Sequence, residues 1–292
     1  MKYAWIQEHQ ESFNIGLMCK MLQVNRSAYY HWVANGSIVN KVDERLNNLI
    51  RDIFYQYREV YGTRRIKKVL LGSYGVIVSK RKIAKSMKYM GLVVRMNRKF
   101  KVTTTDSKHH YAISPNRLQR DFRTNTPDEV YVGDITYIPT REGWLYLAVV
   151  IDLYSRMVVG WSMSHRIDTA LVNNAFRMAL HQREPSGGLI WHTDRGSQYA
   201  SDGHRKLLSA YGVLQSMSRK GDCWDNAVSE SFFHSLKSEM VNHRRFQTRA
   251  EANQAIFDYI EIFYNRQRLH SYIGYMSPVE YEEKMLQLEN VA

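Results

Sequence analysis

The chain has 292 residues, 44% of them hydrophobic, with two cysteines and a formal net charge of +13. That length accommodates two or three domains. No apolar run approaches the ~18 residues of a membrane-spanning helix. The N-terminus lacks the apolar core of a signal peptide, and Cys19 and Cys223 form no Cys-x-x-Cys pair, which argues against a disulfide framework or a cysteine-built zinc site.

The charge is unevenly placed. Residues 1–120 hold 23 Lys and Arg against 7 Asp and Glu, whereas residues 121–292 hold 18 against 21. A basic first part suits a polyanion, and an acidic second part can hold cations, so the balance points to nucleic acid. Reduced cysteines and no export signal place the chain in the cytoplasm.

Taken in order, residues 1–45 predict a helix-turn-helix. Apolar residues recur at three and four over 14–32, with a turn at Val24-Asn25 and Ser27 as a cap. Tyr29, Tyr30 and Trp32 either touch DNA or close the core of the helical pair. Residues 46–100 predict a second, basic helix-turn-helix region. Leu46, Ile50, Ile53, Phe54 and Tyr57 form one stripe. Arg64, Arg65, Lys67 and Lys68 load the next helix, and residues 72–78 form the turn. Ser79 caps a helix over 80–90 that Gly91 stops. Around its stripe of Ile83, Met87 and Met90 stand Lys80, Arg81, Lys82, Lys85 and Lys88, either DNA-contacting or a solvated face. Residues 101–125, polar and aperiodic, are expected to be a linker.

Residues 126–245 change pattern. Strand-like runs at 130–138, 144–153 and 157–164 follow in quick succession and are expected to be antiparallel, with Glu142-Gly143 as the first turn. Asp168 caps a helix, a strand ends at Asp194, a helix covers 202–211 and a short strand covers 213–217. A polar loop then enters a helix, with Asp225 or Asn226 as its cap, on which Glu230, His234 and Lys237 share one face. Residues 246–292 form a C-terminal helical extension in which Arg266, Arg268 and His270 either hold DNA or pack back on the core.

Three acids stand out. Asp134 interrupts an apolar strand, Asp194 closes another, and Glu230 opens the helix; 59 residues separate the first two and 35 the last two. Carboxylates in strands are costly unless paired or metal-bound, and three that converge repel one another. Divalent cations remove that cost, and oxygen-only ligation suits Mg²⁺ or Mn²⁺. Two ions ~3.5–4 Å apart can stabilise both oxygens of a phosphoryl displacement. Asp134 as an edge charge, Asp194 as a turn cap and Glu230 as a partner of Lys237 are the alternatives, with Asp152 a rival acid. Asn226 would shape the loop beside the metal site. His192, which shares the strand face of Asp194, fits a core or DNA-contacting histidine better than a ligand.

With that spacing, Asp134, Asp194 and Glu230 resemble the DDE triad of the retroviral-integrase and transposase superfamily. The segments Asp134-Ile-Thr-Tyr, His192-Thr-Asp-Arg-Gly-Ser-Gln-Tyr199, Ser218-Arg-Lys-Gly-Asp-Cys-Trp-Asp-Asn-Ala227 with Glu230-Ser-Phe-Phe, and Tyr264-Asn-Arg-Gln-Arg-Leu-His270 with Ser277-Pro-Val-Glu280 resemble blocks of the OrfB-type transposases of bacterial insertion sequences. The resemblance spans nearly the whole chain. It implies an α/β, ribonuclease-H-like (retroviral integrase) mixed-sheet catalytic core preceded by an all-α helix-turn-helix DNA-binding region.

It further implies a DNA transposase that cleaves and joins element ends through Mg²⁺ or Mn²⁺, with Asp134, Asp194 and Glu230 as catalytic metal ligands. His234, Lys237, Arg64, Arg65, Lys80, Arg81, Lys82 and Lys85 are the expected DNA contacts. The implied partners are double-stranded DNA (terminal inverted repeats and target), further copies of the chain, and an upstream-frame DNA-binding partner or fusion; the implied place is the bacterial cytoplasm, at the nucleoid. A ribonuclease-H-like nuclease that only hydrolyses and a non-catalytic DNA-binding regulator are the competing functions. Strand joining separates the first from a transposase, and metal-dependent cleavage separates the second.

Overall fold

The structure is a computed structural model that describes residues 2–34, 43–95, 110–219 and 223–290. The first helices, α1 (Lys2–Glu8), α2 (Ile15–Met21) and α3 (Arg26–Ala34), close on a small core of Ile6, Met18, Cys19 and Tyr29, with Tyr3 and Trp32 against it. Asn14 caps α2. Asn25, not Ser27, caps α3 by accepting from the amides of Ser27 and Ala28. Ser27 already lies inside the helix, whereas a cap must precede it. The aromatics divide: Tyr29 is buried and Tyr30 is exposed.

Helices α4 (Glu44–Gln56), α5 (Thr63–Tyr74) and α6 (Lys80–Tyr89) follow. Leu46, Ile50, Ile53 and Phe54 are buried, as the stripe predicts, and join Ile66, Leu70, Ile83 and Met87. Ser79 caps α6 through the Lys82 amide. Helix α5 takes in Gly72 and ends only where Gly75 adopts the left-handed conformation at φ 64°, so the turn is shorter than the sequence suggests. This module does not stand apart. Its apolar residues belong to one cluster that also contains Val132, Val149, Phe232, Leu236, Ile256 and Phe263.

The next region is built on a five-stranded sheet: β1 (Val130–Thr140), β2 (Gly143–Asp152), β3 (Val158–Ser164), β4 (Ile190–Thr193) and β5 (Leu214–Met217), in the order β3-β2-β1-β4-β5. The first three are antiparallel as expected, and β4 and β5 add parallel to β1. Thr140 pairs with Gly143, which makes Arg141-Glu142 the turn, one residue earlier than predicted. Strand alternation sends Val130, Val132 and Ile138 to one face and Tyr131 to the other. On that second face lie α7 (Thr169–Arg183), which Asp168 caps through the Leu171 amide, α8 (Ser197–Ala200) and α9 (Asp202–Ala210). Against the first face lie α10 (Ala227–Glu239) and α11 (Arg249–Phe257).

Two segments depart from expectation. Residues 101–109 of the expected linker lie outside the described residues. Residues 110–125 are irregular but strapped to the core: Leu118 is buried, the Arg117 amide donates to Ser216 Oγ, and Arg205 donates to the Ala112 carbonyl. Helix α11 passes directly into a π-helical turn, Asp258–Tyr264, which buries Tyr259, Phe263 and Tyr264. The last helix, α12 (Pro278–Glu289), begins with a Ser277/Glu280 capping box. It is tied back by Glu282, which accepts from Arg183 at 2.7 Å.

Candidate active site

The parallel pairing of β1 with β4 brings two of the three acids together. Val130 faces Ile190 and Val132 faces His192. Carried two residues further, the same register sets Asp134 beside Asp194, where β4 ends while β1 runs on, paired with β2. Asp134 accepts from the Ile135 amide at 2.7 Å and Asp194 from the Gly196 amide at 2.9 Å. Both carboxylates are half-buried. Burial drives the Asp134 carboxyl well above its ordinary value, and the neighbouring charge of Asp194 drives it further.

Glu230 sits in the first turn of α10, on the exposed side of the helix, while Phe232, Phe233 and Leu236 bury the other side. Its charge reaches Asp134 less strongly than that of Asp194 does, and its own carboxyl is raised by burial. Lys237, two turns on, lies over the Tyr137 ring with Nζ 4.6 Å from the centroid. Burial lowers the Lys237 ammonium, opposed by the charge of Asp134. His234 is exposed on the same helix. Among the described residues no three side chains of His, Cys, Asp or Glu close into a ready metal cage. The arrangement is an adjacent acid pair with the third acid standing off on a helix. Its donors are all carboxylate oxygens whose mutual repulsion a divalent cation would relieve, so the residues fit such an ion.

The surroundings contain one group that sequence reasoning missed, Tyr199, and several whose engagement only the structure shows. Tyr199 is buried with a hydroxyl that has no hydrogen-bond partner; burial and the charges of Asp134 and Asp194 raise it strongly. Asp225 caps nothing. It is fully buried and accepts from Arg120 at 2.8 Å, from Asn116 at 3.0 Å and from the Arg219 amide at 2.9 Å. It thereby ties the 110–125 strap to the loop before α10. Asn226 precedes α10 without a capping bond, and its buried Oδ1 has no partner. His192 is a core residue, held between Ser216 Oγ and the Asp225 carbonyl, and burial lowers it to about 4. Asp152, the rival acid, lies at the far end of β2 beside Arg183.

The expected DNA contacts divide as well. Arg64, Lys80, Arg81, Lys82 and Lys85 are exposed, Lys82 pairing with Asp43 at 2.9 Å. Arg65 turns inward instead, donating to the Leu269 carbonyl at 3.0 Å and lying 3.6 Å from Glu239.

Known proteins match these features. Residues 124–223 and 230–286 match integrase core domain families, and residues 41–100 match an HTH-like domain. A 31 kDa protein of insertion element IS600 from Shigella sonnei is 43% identical over 93% of this chain and 99% of its own length. Transposase InsF of insertion sequence IS3A from Escherichia coli K12 is 40% identical over 98% of this chain and 100% of its own. The HTLV-2 integrase catalytic core domain in complex with magnesium aligns with a TM-score of 0.42 at 16% identity, covering 55% of this chain and 99% of that one. Near-complete coverage of the insertion-sequence proteins at 40% identity and above, together with the integrase core and HTH-like matches, means that the chain belongs to the IS3-type transposases, DDE-class enzymes that cleave and join DNA.

Proposed function

We propose that Asp134, Asp194 and Glu230 carry the transposase reaction as the acids that hold the metal at the reacting phosphate. The observation that supports this most is the side-by-side placement of Asp134, in the middle of β1, and Asp194, just past the end of the parallel β4, faced by the helix of Glu230 and Lys237. The donor set suits Mg²⁺ or Mn²⁺, and two ions match what in-line phosphoryl displacement requires. When bound, such ions activate the attacking oxygen and stabilise the leaving one.

The chain's own groups do the rest. Asp134 and Asp194 form the fixed half of the cation site, held by the Ile135 and Gly196 amides. Glu230 completes it from α10. Lys237 offers a cation beside Asp134 to the phosphate being cut, and His234 meets the DNA strand one turn away. Asn226 shapes the loop at the start of that helix. The exposed cations Arg64, Lys80, Arg81, Lys82 and Lys85 hold the duplex by its phosphates. Helices α2 and α3 form a further helix-turn-helix with Tyr30 outward. The substrates are the terminal inverted repeats of the element and a target duplex, and joining two ends calls for more than one copy. A partner or fusion encoded in an upstream frame, and residence at the nucleoid, belong to this reading. No helix among the described residues is long and apolar enough to cross a membrane.

The test is cleavage and joining of a labelled element-end duplex with Mg²⁺ or Mn²⁺, wild type beside Glu230→Gln, with the upstream-frame product supplied if neither cuts. Joined products from wild type alone, at equal DNA binding, support the assignment. A Glu230→Gln protein that cuts as fast as wild type removes Glu230 from the site. Wild-type cleavage without joining favours a nuclease that only hydrolyses.

A further inference from the structure

The block Tyr-Asn-Arg-Gln-Arg-Leu-His at 264–270 takes no part in the site above, yet its polar groups are closely engaged. Asn265 clasps both backbone groups of Val158 at 3.0 Å. Arg268, 6% exposed, donates to both oxygens of Glu239 at 2.8 and 2.7 Å and to Ser235 Oγ at 2.9 Å. Glu239 is the last residue of α10, the helix that opens with Glu230 three residues in. Tyr259 also donates to Glu239, at 2.8 Å.

The helix-turn-helix module reaches the same point from the other side. Arg65 of α5 donates to the Leu269 carbonyl at 3.0 Å and stands 3.6 Å from Glu239. The Tyr61 hydroxyl donates to the Gln267 carbonyl at 3.0 Å and accepts from the Leu269 amide at 2.8 Å. Arg58 adds a 2.6 Å bond to Asp258 and lies over the Phe263 ring. Block 264–270 is thus the seat on which three parts meet: the DNA-binding module, the end of α10 and β3. Arg65 and Arg268, spent on this seat, are not the phosphate contacts their neighbours in sequence suggest.

We infer that this seat is a positioning device: Tyr61 and Arg65 hold the 264–270 block, whose Arg268 together with Arg65 fixes Glu239, and through the body of α10 this fixes Glu230 opposite Asp134 and Asp194. The inference rests on Glu230 being the third acid. Glu239 lies nine helical steps beyond Glu230, roughly 13 Å at ~1.5 Å per step. Over that lever a tilt of a few degrees moves Glu230 by about 1 Å, and a misplacement of that size can cost ~10²-fold in rate. A seated module therefore matters to the cutting step itself, beyond its grip on DNA.

The experiment compares full-length wild type with Arg65→Met, Arg65→Lys, Tyr61→Phe and Glu230→Gln. Three quantities are read: melting temperature, affinity for a labelled element-end duplex in EDTA, and single-turnover cleavage at saturating DNA across a Mg²⁺ titration. Arg65→Met and Tyr61→Phe are expected to bind the duplex within about 2-fold of wild type. They should cut about 10-fold slower or worse at saturation, with half-maximal rate at several-fold higher Mg²⁺, and Arg65→Lys should recover part of the loss. The inference is overturned if Arg65→Met weakens binding but cuts normally at saturation, which makes Arg65 a DNA contact, or if it changes neither quantity. Should Arg65→Met fail to fold, Tyr61→Phe, which loses a single hydroxyl, decides by the same criteria. Full activity of Glu230→Gln would strike at the acid assignment instead, a separate result from either of these.

Discussion

Trp191 occupies the space that a side chain at Gly133 would need: a β-carbon there would lie 2.0 Å from the indole ring. The ring cannot easily yield, because its Nε1 donates to the buried His204 at 2.9 Å and the tilted Phe176 ring packs against it with centroids 4.7 Å apart. Gly133 immediately precedes Asp134, so the close approach of β4 to β1 that aligns the acid pair depends on the missing β-carbon. Gly133→Ala should destabilise the chain by about 1–3 kcal/mol through overpacking and slow cleavage more than it weakens DNA binding. Thermal melting beside single-turnover cleavage checks both halves; an alanine variant as stable and active as wild type refutes them.

Asp152 gives the fold a pH dependence of its own. It is fully buried, and burial raises its carboxyl to about 7, with the charges of Asp128 and Glu282 adding to the rise and the Tyr154 amide and Arg183 opposing it. A raised carboxyl favours the protonated folded state. This contribution is therefore whole below the unfolded carboxylate range near ~4 and is lost as pH rises through about 7. The loss should be about 4 kcal/mol at most. Asp152→Asn, which mimics the protonated form, should flatten this slope in urea melts taken between those two values. An unchanged slope in the variant would assign it to other groups.

Asp225 behaves in the opposite sense. The hydrogen bonds from Arg219 come first and those from Arg120 add to them, outweighing burial and holding the carboxyl far below its ordinary value. That stability is present above the unfolded carboxylate range and falls away only as pH drops toward the folded value. Breaking a buried pair costs ~3–5 kcal/mol, and because both guanidiniums are about half-exposed (42% and 54%) the cost here should be nearer ~2. Asp225→Ala is expected to show that loss and also to release the 110–125 strap. Limited proteolysis should then cut within 110–125 faster than in wild type, while a strap equally resistant in both proteins would contradict the tie.

The three acids stood out in the sequence because each sits inside an apolar or helical pattern that exposes its oddity, and the structure sets two of them, Asp134 and Asp194, side by side. The β1–β3 meander and the caps Asp168 and Ser79 were legible for a local reason: alternation and capping are properties of a few adjacent residues. What stayed hidden depends on distant partners. Arg65 shares its run with Arg64, Lys67 and Lys68, and nothing local distinguishes it; its inward turn is set by Glu239 and Leu269, far along the chain. Asp225 reads as a cap from its place before a helix, yet Arg120 and Arg219 recruit it for a tie. Likewise the sequence of the C-terminal extension fits ordinary helices, and only packing reveals the π-helical turn that begins at Asp258.

The exposed cations of α6 make a final prediction about DNA affinity. Lys80, Arg81 and Lys85 stand in solvent around a helix whose Ile83 and Met87 are buried, so removing the charges leaves the core untouched. Each phosphate contact releases condensed counterion and contributes about 0.9 to the slope of log affinity against log salt. If all three meet phosphates, the triple alanine variant should lower that slope by about 2–3 and weaken binding at low salt far more than at high salt. Fluorescence anisotropy on an element-end duplex and on an unrelated duplex of equal length separates grip from reading, since loss of phosphate contacts weakens both alike. A variant that loses affinity for the element end alone would make α6 a base-reading helix, and one with an unaltered slope would leave duplex binding to another surface. Lys82 is best left in place, because its bond to Asp43 at the start of α4 makes its removal a structural change too.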